Sequence, residues 1–203
     1  MRILLCFLIL FSFSLNGQIP KNSKAIIYQK SGEKMVMTTK SKIPVRAGIW
    51  SVYMRLKNKE TKEVIKITNE EVDSVIFYTS ESLKIKGRKE KRNLKRKFVF
   101  YQDDPESEDK RLVEEITKGK ITVYRSHEYE NYGIADGEFI VLYIFKEGVE
   151  PLKFLVKHAY HLKKQAPNLM SDCPKLLNEL SKQKRFSDDD VLEYFVRYNN
   201  GCD

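Results

Sequence analysis

Residues 171–180 read SDCPKLLNEL, and this stretch fixes the fold class because it begins a helix in a chain whose earlier segments favour strands. Asp172 or Cys173 suits the cap position of that helix, and Pro174 suits its first turn. The leucines that follow are spaced for one apolar helical face. The last part of the chain, residues 157–203, is therefore predicted to be a helical segment packed on or beside what precedes it.

Upstream of that helix, the chain has the two-residue alternation of half-buried strands. Val52, Met54 and Leu56 alternate with Tyr53 and Arg55, which is the period of a strand with one face in a core. Similar β-rich segments occur at 24–29, 35–37, 64–67, 75–78, 121–124, 139–145 and 152–156. The fold class predicted from these segments is α+β: an antiparallel β-rich domain over 18–156, sandwich-like or barrel-like, followed by the helical tail.

One interruption of the β-rich domain is predicted, a short helix near 105–118. Pro105 suits a helix start, and the acids around it suit the positive end of a helix dipole. Leu112, Val113 and Ile116 then follow at helical spacing. No repeat or low-complexity linker marks a further domain boundary.

The N-terminus has the three parts of a secretory signal peptide. Arg2 precedes an apolar run over 3–15, and Asn16-Gly17-Gln18 provides a polar exit. The apolar run is shorter than the roughly 20 residues that a bilayer-spanning helix needs. We expect cleavage after Gly17, which makes 1–17 the signal peptide and gives an exported chain, periplasmic or extracellular, that does not span the membrane.

Cleavage would reduce the cysteines from three to two, because Cys6 lies in the leader. Cys173 and Cys202 remain, and an even pair in an oxidising compartment indicates a disulfide. Two unpaired buried thiols are the alternative interpretation. A catalytic thiol is disfavoured, since neither cysteine has a histidine close to it in sequence.

The formal net charge is +9, and residues 84–97 contain nine basic side chains with a single acid, Glu90. Such a run suits the phosphates of an envelope surface or an acidic glycan, and export argues against an intracellular nucleic acid. A solvated hairpin tip is the alternative interpretation. The candidate residues for contact with an anionic surface are Lys84, Lys86, Arg88, Lys89, Lys91, Arg92, Lys95, Arg96 and Lys97.

Local motifs for catalysis or cofactor binding are absent from the sequence. It has no Gly-x-Ser-x-Gly elbow, no glycine-rich phosphate loop and no His-Glu-x-x-His pair. His158 and His161 would share a helical face, but no third ligand at metal-like spacing accompanies them. No metal, cofactor or catalytic residue is therefore assigned, and an enzyme with catalytic residues dispersed along the chain stays open.

A cluster of tyrosines is a further candidate for contact with a protein or a sugar. Tyr124, Tyr129 and Tyr132 lie close together in sequence, and their rings combine apolar area with a hydroxyl. Packing of these rings over a sheet edge is the alternative.

Three spaced elements of the C-terminal half form a pattern: Gly119-x-Ile121-x-x-Tyr124, Asp172-Cys173-Pro174-x-Leu176 and Tyr198-Asn199-x-Gly201-Cys202. Together they resemble a group of uncharacterised exported proteins of Bacteroidetes. The resemblance covers the chain from residue 105 onward and the β-region only loosely. It implies an envelope or secreted location and a disulfide, and it brings no activity or catalytic residue with it.

The function that these observations favour is that of an exported, non-catalytic binding or scaffolding protein of the cell envelope. Its expected partner is an anionic envelope surface or another envelope protein. One alternative is the enzyme with dispersed residues. The other is a β-barrel carrier of an apolar ligand, which would need an enclosed cavity on the order of 300 Å³.

Overall fold

The computed structural model describes residues 18–19, 21–40, 43–44, 53–85, 88–102, 110–131, 136–155, 160–184 and 188–202. Its strands are β1 (Gln18–Ile19), β2 (Lys24–Gln29), β3 (Lys34–Thr38), β4 (Ile43–Pro44), β5 (Tyr53–Lys57), β6 (Val64–Thr68), β7 (Val72–Ile85), β8 (Arg88–Tyr101), β9 (Arg111–Thr117), β10 (Thr122–Asn131), β11 (Asp136–Lys146) and β12 (Val149–Leu155). Its helices are α1 (Tyr160–Leu169), α2 (Pro174–Lys182) and α3 (Asp188–Asn199). The predicted signal peptide, 1–17, lies outside the described residues.

The main sheet has eight antiparallel strands in the order β12-β11-β10-β9-β8-β7-β2-β3. Strands β7 to β12 form a meander in which each strand pairs with the next, and the β2–β3 hairpin adds to the β7 side. Strands β5 and β6 form a separate hairpin, and β1 pairs with β4. The predicted α+β class, with antiparallel strands followed by a helical tail, is confirmed.

Two hydrophobic cores lie side by side on one face of the main sheet. Residues directly opposite each other in adjacent antiparallel strands share a face. Phe98 is opposite Glu114, and Glu114 is opposite Arg125. Arg125 is in turn opposite Leu142. Since Phe98 packs in the core with β5 and β6, and Leu142 packs in the core with the helices, both layers cover this face, here called the covered face.

The strand assignments made from alternation hold where the structure describes them. In β5, Met54 and Leu56 are buried in the core, whereas Tyr53 and Arg55 are exposed. Val52 lies outside the described residues. The alternation therefore identified the face of β5 that packs on the main sheet.

The predicted helix over 105–118 is wrong where the structure describes that segment. Residues 103–109 lie outside the described residues, and Arg111–Thr117 form β9 in the middle of the main sheet. Leu112, Val113 and Glu114 are all buried, although neighbouring residues point to opposite faces of a strand. A strand buried on both faces has no two-residue alternation, so its apolar positions also match helical spacing.

The helical tail is tied by the disulfide that the cysteine count predicted. Cys173 and Cys202 are bonded across a sequence separation of 29 residues. Cys173 is the cap residue of α2 and Pro174 lies in its first turn, as the sequence indicates. The preceding helix, α1, continues through Pro167 to Leu169 rather than stopping before the proline. The disulfide thus joins the start of α2 to the residues that follow α3.

Asn199, the last residue of α3, holds the tail against the turn between β9 and β10. Its side-chain oxygen accepts a hydrogen bond from the Ile121 amide at 2.9 Å, and its nitrogen donates to the Ile121 carbonyl at 2.7 Å. The same nitrogen donates to Thr117 Oγ1 at 2.8 Å. Gly119 lies so close that an added Cβ would be 2.9 Å from Asn199 Cγ. A side chain at position 119 would therefore displace this clamp.

Tyr198 and Asp172 form a second attachment of the tail. The Tyr198 hydroxyl donates to Asp172 Oδ1 at 2.5 Å and accepts from Lys146 Nζ at 3.1 Å. The hydrogen bonds from Tyr198 and Lys120 hold the pKa of Asp172 at about 2. Burial and the hydrogen bond to Asp172 raise the pKa of Tyr198 to about 12. The three sequence elements that carried the family resemblance therefore meet in space, where they fix the tail to the sheet.

Candidate functional site

The basic run lies mainly in paired strands, and not in a long loop. Strands β7 and β8 form a hairpin whose pairing continues to Ile85 opposite Arg88. Lys84 lies in β7, and seven of the nine candidates, Arg88, Lys89, Lys91, Arg92, Lys95, Arg96 and Lys97, lie in β8. Lys86 lies outside the described residues. The backbone of this part of the chain is therefore an extended two-stranded ribbon, here called the basic hairpin.

The root of the basic hairpin is an ion cluster on the covered face, where Glu114 joins Arg96 and Arg125. Arg96 donates to Glu114 through Nε at 2.9 Å and through Nη2 at 2.8 Å, and Arg125 Nη2 donates at 2.7 Å. Side-chain exposure is 9% for Arg96 and 6% for Glu114. Burial alone would raise the pKa of Glu114, but the hydrogen bond from Arg96 and the charge of Arg125 outweigh it and hold the pKa at about 2. Arg96 is thus a buried structural residue rather than part of a surface for anions.

Lysines and arginines of β8 occupy opposite faces of the ribbon. Positions in a strand alternate between faces, so 89, 91, 95 and 97 lie on one face and 88, 92 and 96 on the other. Lys97 Nζ lies 3.1 Å from Glu115 Oε1 on the face away from the covered one. Lys95 is exposed. The lysine face of the hairpin therefore belongs to the face of the main sheet that lies opposite the two cores.

The two faces of the hairpin differ in how the strand register places acids near bases. On the arginine face, Arg92 is opposite Glu81, and Arg96 is bonded to Glu114. On the lysine face, Lys91 is opposite Ser82, Lys95 is opposite Tyr78, and Lys84 is opposite Lys89. Like charges directly opposite each other in a sheet are unfavourable. The pairing therefore leaves the lysine face without cross-strand acids from position 84 to position 95.

A cluster of aromatic rings shows that the same face is concave farther along the sheet. The Tyr101 ring in β8 lies 5.5 Å from that of Tyr124 in β10 and 5.2 Å from that of Tyr143 in β11, measured between centroids. It lies 5.4 Å from the ring of Phe145, also in β11. Three strand spacings separate β8 from β11, which is about 14 Å in a flat sheet. The contacts therefore require the sheet to curl over this face, here called the concave face.

The centre of the concave face is buried although no described layer packs on it. Ser126 in β10 is opposite Val141 in β11, and Val113 in β9 lies on the same face; each of the three is at most 2% exposed. The Ser126 hydroxyl is buried without a hydrogen-bond partner. A buried polar group left without its hydrogen bond costs about 1–3 kcal/mol. Ser126 is therefore an unsatisfied polar group on the concave face, two residues along β10 from Tyr124.

Charged groups border the aromatic cluster on both sides. Lys153 Nζ lies 5.1 Å from the centroid of the Tyr143 ring, and Lys97 with Glu115 lies across from Tyr124. Burial, followed by the negative charge of Glu115, raises the pKa of Tyr124. Tyr124 is still partly exposed, so solvent reaches the edge of the cluster.

Of the tyrosines singled out in the sequence, the structure places only Tyr124 in this cluster. Nothing is described of the Tyr129 side chain, and Tyr132 lies outside the described residues. Tyr101, Tyr143 and Phe145 were not predicted as members of a site. Each of the three lies one residue away from a position that packs in a core. Strand alternation could therefore have placed them together on the opposite face of the sheet.

No metal site is assigned to the histidines from the sequence, and the structure describes two of the three. His161 lies on α1, whereas its proposed companion His158 lies outside the described residues. His127 is buried in β10. Within the described ranges, no three His, Cys, Asp or Glu side chains converge as a metal site would require.

Comparison of the chain with models of protein families, with curated proteins and with solved structures gave no match. None of α1, α2 and α3, the helices of the described residues, has the length and hydrophobicity of a bilayer-spanning segment.

Proposed function

We propose that the protein is an exported, non-catalytic binding protein of the cell envelope that contacts an anionic surface through the lysine face of the basic hairpin. The observation that carries the proposal is the difference between the two faces of that hairpin. On its arginine face Arg92 is opposite Glu81 and Arg96 is bonded to Glu114, whereas between positions 84 and 95 its lysine face has no acid in register and places Lys84 opposite Lys89. A phosphate-bearing surface would supply the missing negative charge.

Export is supported by two features of the chain. The leader over 1–17 has the composition of a signal peptide. The Cys173–Cys202 disulfide suits an oxidising compartment, because disulfides persist there and are rare in the cytosol. The anionic surfaces that such a protein meets are lipid headgroups and acidic glycans of the envelope.

The proposal is tested by reversing charge on the lysine face alone. Lys89→Glu, Lys91→Glu and Lys95→Glu together should abolish retention on phosphatidylglycerol-containing vesicles at low salt. Retention of the unaltered protein should fall as salt rises, because salt screens exposed charges. Arg96 is left unchanged, since its loss would remove two hydrogen bonds from the buried Glu114.

A matched control separates the lysine face from net charge. Lys21→Glu, Lys59→Glu and Lys164→Glu change the net charge equally at positions that are exposed outside the hairpin. This control should keep most of its retention. Equal loss in both variants would show that only the total charge matters, and full retention in the hairpin variant would reject the proposed surface.

A further inference from the structure

We propose that the concave face binds the acyl chain of an anionic amphiphile, whose phosphate or carboxylate is held by lysines of β8. This inference rests on the proposed function, because it names the class of molecule that carries the anionic group. It adds a second site, the aromatic cluster, to the lysine face. The two sites share one face of the main sheet.

The aromatic cluster has the form of an apolar site with an open edge. Tyr143 is 2% exposed and forms its floor, whereas Tyr101, Tyr124 and Phe145 are partly exposed. Curvature of the sheet brings these rings together from three strands. A flexible hydrocarbon chain fits such a surface because its burial needs no directional contacts.

The Ser126 hydroxyl is the second observation that points to a ligand. It is buried on the concave face without a hydrogen-bond partner, opposite Val141 of β11. An ester or hydroxyl oxygen of an amphiphile bound on this face would supply that hydrogen bond. Most buried side-chain hydroxyls in proteins have at least one hydrogen-bond partner, so that of Ser126 needs an explanation.

Charge selects an anionic amphiphile over a neutral one. Lys95 and Lys153 are exposed on the concave face, on opposite sides of the aromatic cluster. Lys97 is bonded to Glu115, and Lys153 Nζ lies 5.1 Å from the centroid of the Tyr143 ring. A head group that emerges at the edge of the cluster therefore meets ammonium groups, and the hairpin positions 89 and 91 continue that face along β8.

The probe for this site is dodecyl phosphate, used below its micelle concentration with the full chain as processed by an exporting host. Titration calorimetry should show one molecule bound per chain. Dodecyl maltoside, which is neutral, should bind about tenfold more weakly, as loss of one charged contact predicts. Inorganic phosphate alone should bind much more weakly than dodecyl phosphate, because it has no acyl chain.

The Tyr124→Ser variant tests the aromatic edge and should weaken dodecyl phosphate binding about tenfold. Tyr160→Ser is its control, because Tyr160 is 63% exposed on α1 and should leave binding unchanged. A second measurement needs no variant: a photoactivatable diazirine in the dodecyl chain should label residues 99–101, 122–126 and 141–145. Labelling of the helices instead, or equal affinity in the Tyr124→Ser variant, would overturn the inference.

Different experimental results would reject each of the two proposals. Salt-sensitive vesicle retention without binding of dodecyl phosphate would remove the concave site and leave the proposed function. Stoichiometric binding of dodecyl phosphate, with vesicle retention unaffected by the hairpin charges, would remove the lysine face as a docking surface and leave the amphiphile site.

Discussion

The helical tail and the basic hairpin are the two parts of this molecule with the most distinctive sequences, and they are held in opposite ways. In the tail, the distinctive residues are bonded to one another: Cys173 to Cys202, Tyr198 to Asp172, and Asn199 to the turn at Gly119 and Ile121. In the hairpin, specific ion pairs hold the root, and the lysine face beyond it has no acids in register.

This difference separates distinctive residues that stabilise the fold from distinctive residues that are available to contact a partner. The tail residues satisfy one another, so their pattern is explained by the stability of the fold. The lysine face is not explained in this way, because opposed lysines cost free energy in the absence of an anion. Each prediction below tests one side of this contrast.

The largest expected effect is at the root of the hairpin. Glu114→Gln leaves the buried Arg96 and the partly exposed Arg125 without their carboxylate, and it should lower the free energy of unfolding by about 3–5 kcal/mol. Glu115→Gln is the matched control: it weakens the pair with Lys97, whose side chain is 35% exposed, on the opposite face, and it should cost about 1 kcal/mol or less. Urea denaturation measures both, and equal effects would contradict the buried cluster.

The same carboxylate predicts a dependence of stability on pH. The pKa of Glu114 is lowered from 4.5 to about 2 in the folded chain, so its contribution is complete above about 4.5 and is lost as pH falls toward 2. The Glu114→Gln variant should show a flatter decline in unfolding free energy across this window. An unchanged slope in the variant would show that other groups cause the acid sensitivity.

Loss of the disulfide should lower stability nearly as much, but it should leave binding through the hairpin unchanged. Replacing Cys173 and Cys202 by alanine should lower the free energy of unfolding by about 3–4 kcal/mol, since the unfolded chain loses a constraint over 29 residues. The folded variant should keep its retention on anionic vesicles. Loss of retention without unfolding would place the tail in the binding surface.

A smaller effect is expected at the Asn199 clamp. Asn199→Ala removes one hydrogen bond that the side chain accepts and two that it donates, and it leaves the Ile121 amide without its partner. The free energy of unfolding should fall by about 1–3 kcal/mol. Asn200→Ala is the control, because the neighbouring asparagine is exposed and should change stability by less than about 0.5 kcal/mol. Thermal unfolding of the two variants measures the difference.

The smallest effect on stability is expected on the lysine face. Lys95→Glu changes an exposed side chain opposite Tyr78, so the free energy of unfolding should shift by less than about 0.5 kcal/mol. Vesicle retention should nevertheless decline measurably in this single variant. A stability loss comparable to that of Asn199→Ala would mean that Lys95 has a structural role.

Much of the fold follows from local sequence, because strands and caps have local signals. The segment predicted at 24–29 has the bounds of β2, and Pro174 correctly marked the start of α2. The helix near 105–118 failed because β9 is buried on both faces, and Leu112 and Val113 therefore do not alternate with polar residues.

The candidate site could be predicted only in part, since its geometry depends on contacts between strands. The basic run is evident in the sequence, but the separation of Arg96 from the lysines requires the pairing of β8 with β9. Similarly, Tyr101 meets Tyr143 only because the sheet curls. No spacing within one segment contains that information.

Hydrogen–deuterium exchange of the full chain, with and without phosphatidylglycerol vesicles, tests most directly whether the hairpin and not the tail is the contact surface. Peptides from 81–97 should exchange more slowly when vesicles are added, while peptides from 172–202 should keep their rates. Slower exchange confined to the tail, or no change in 81–97 under conditions where the protein is bound, would contradict the account.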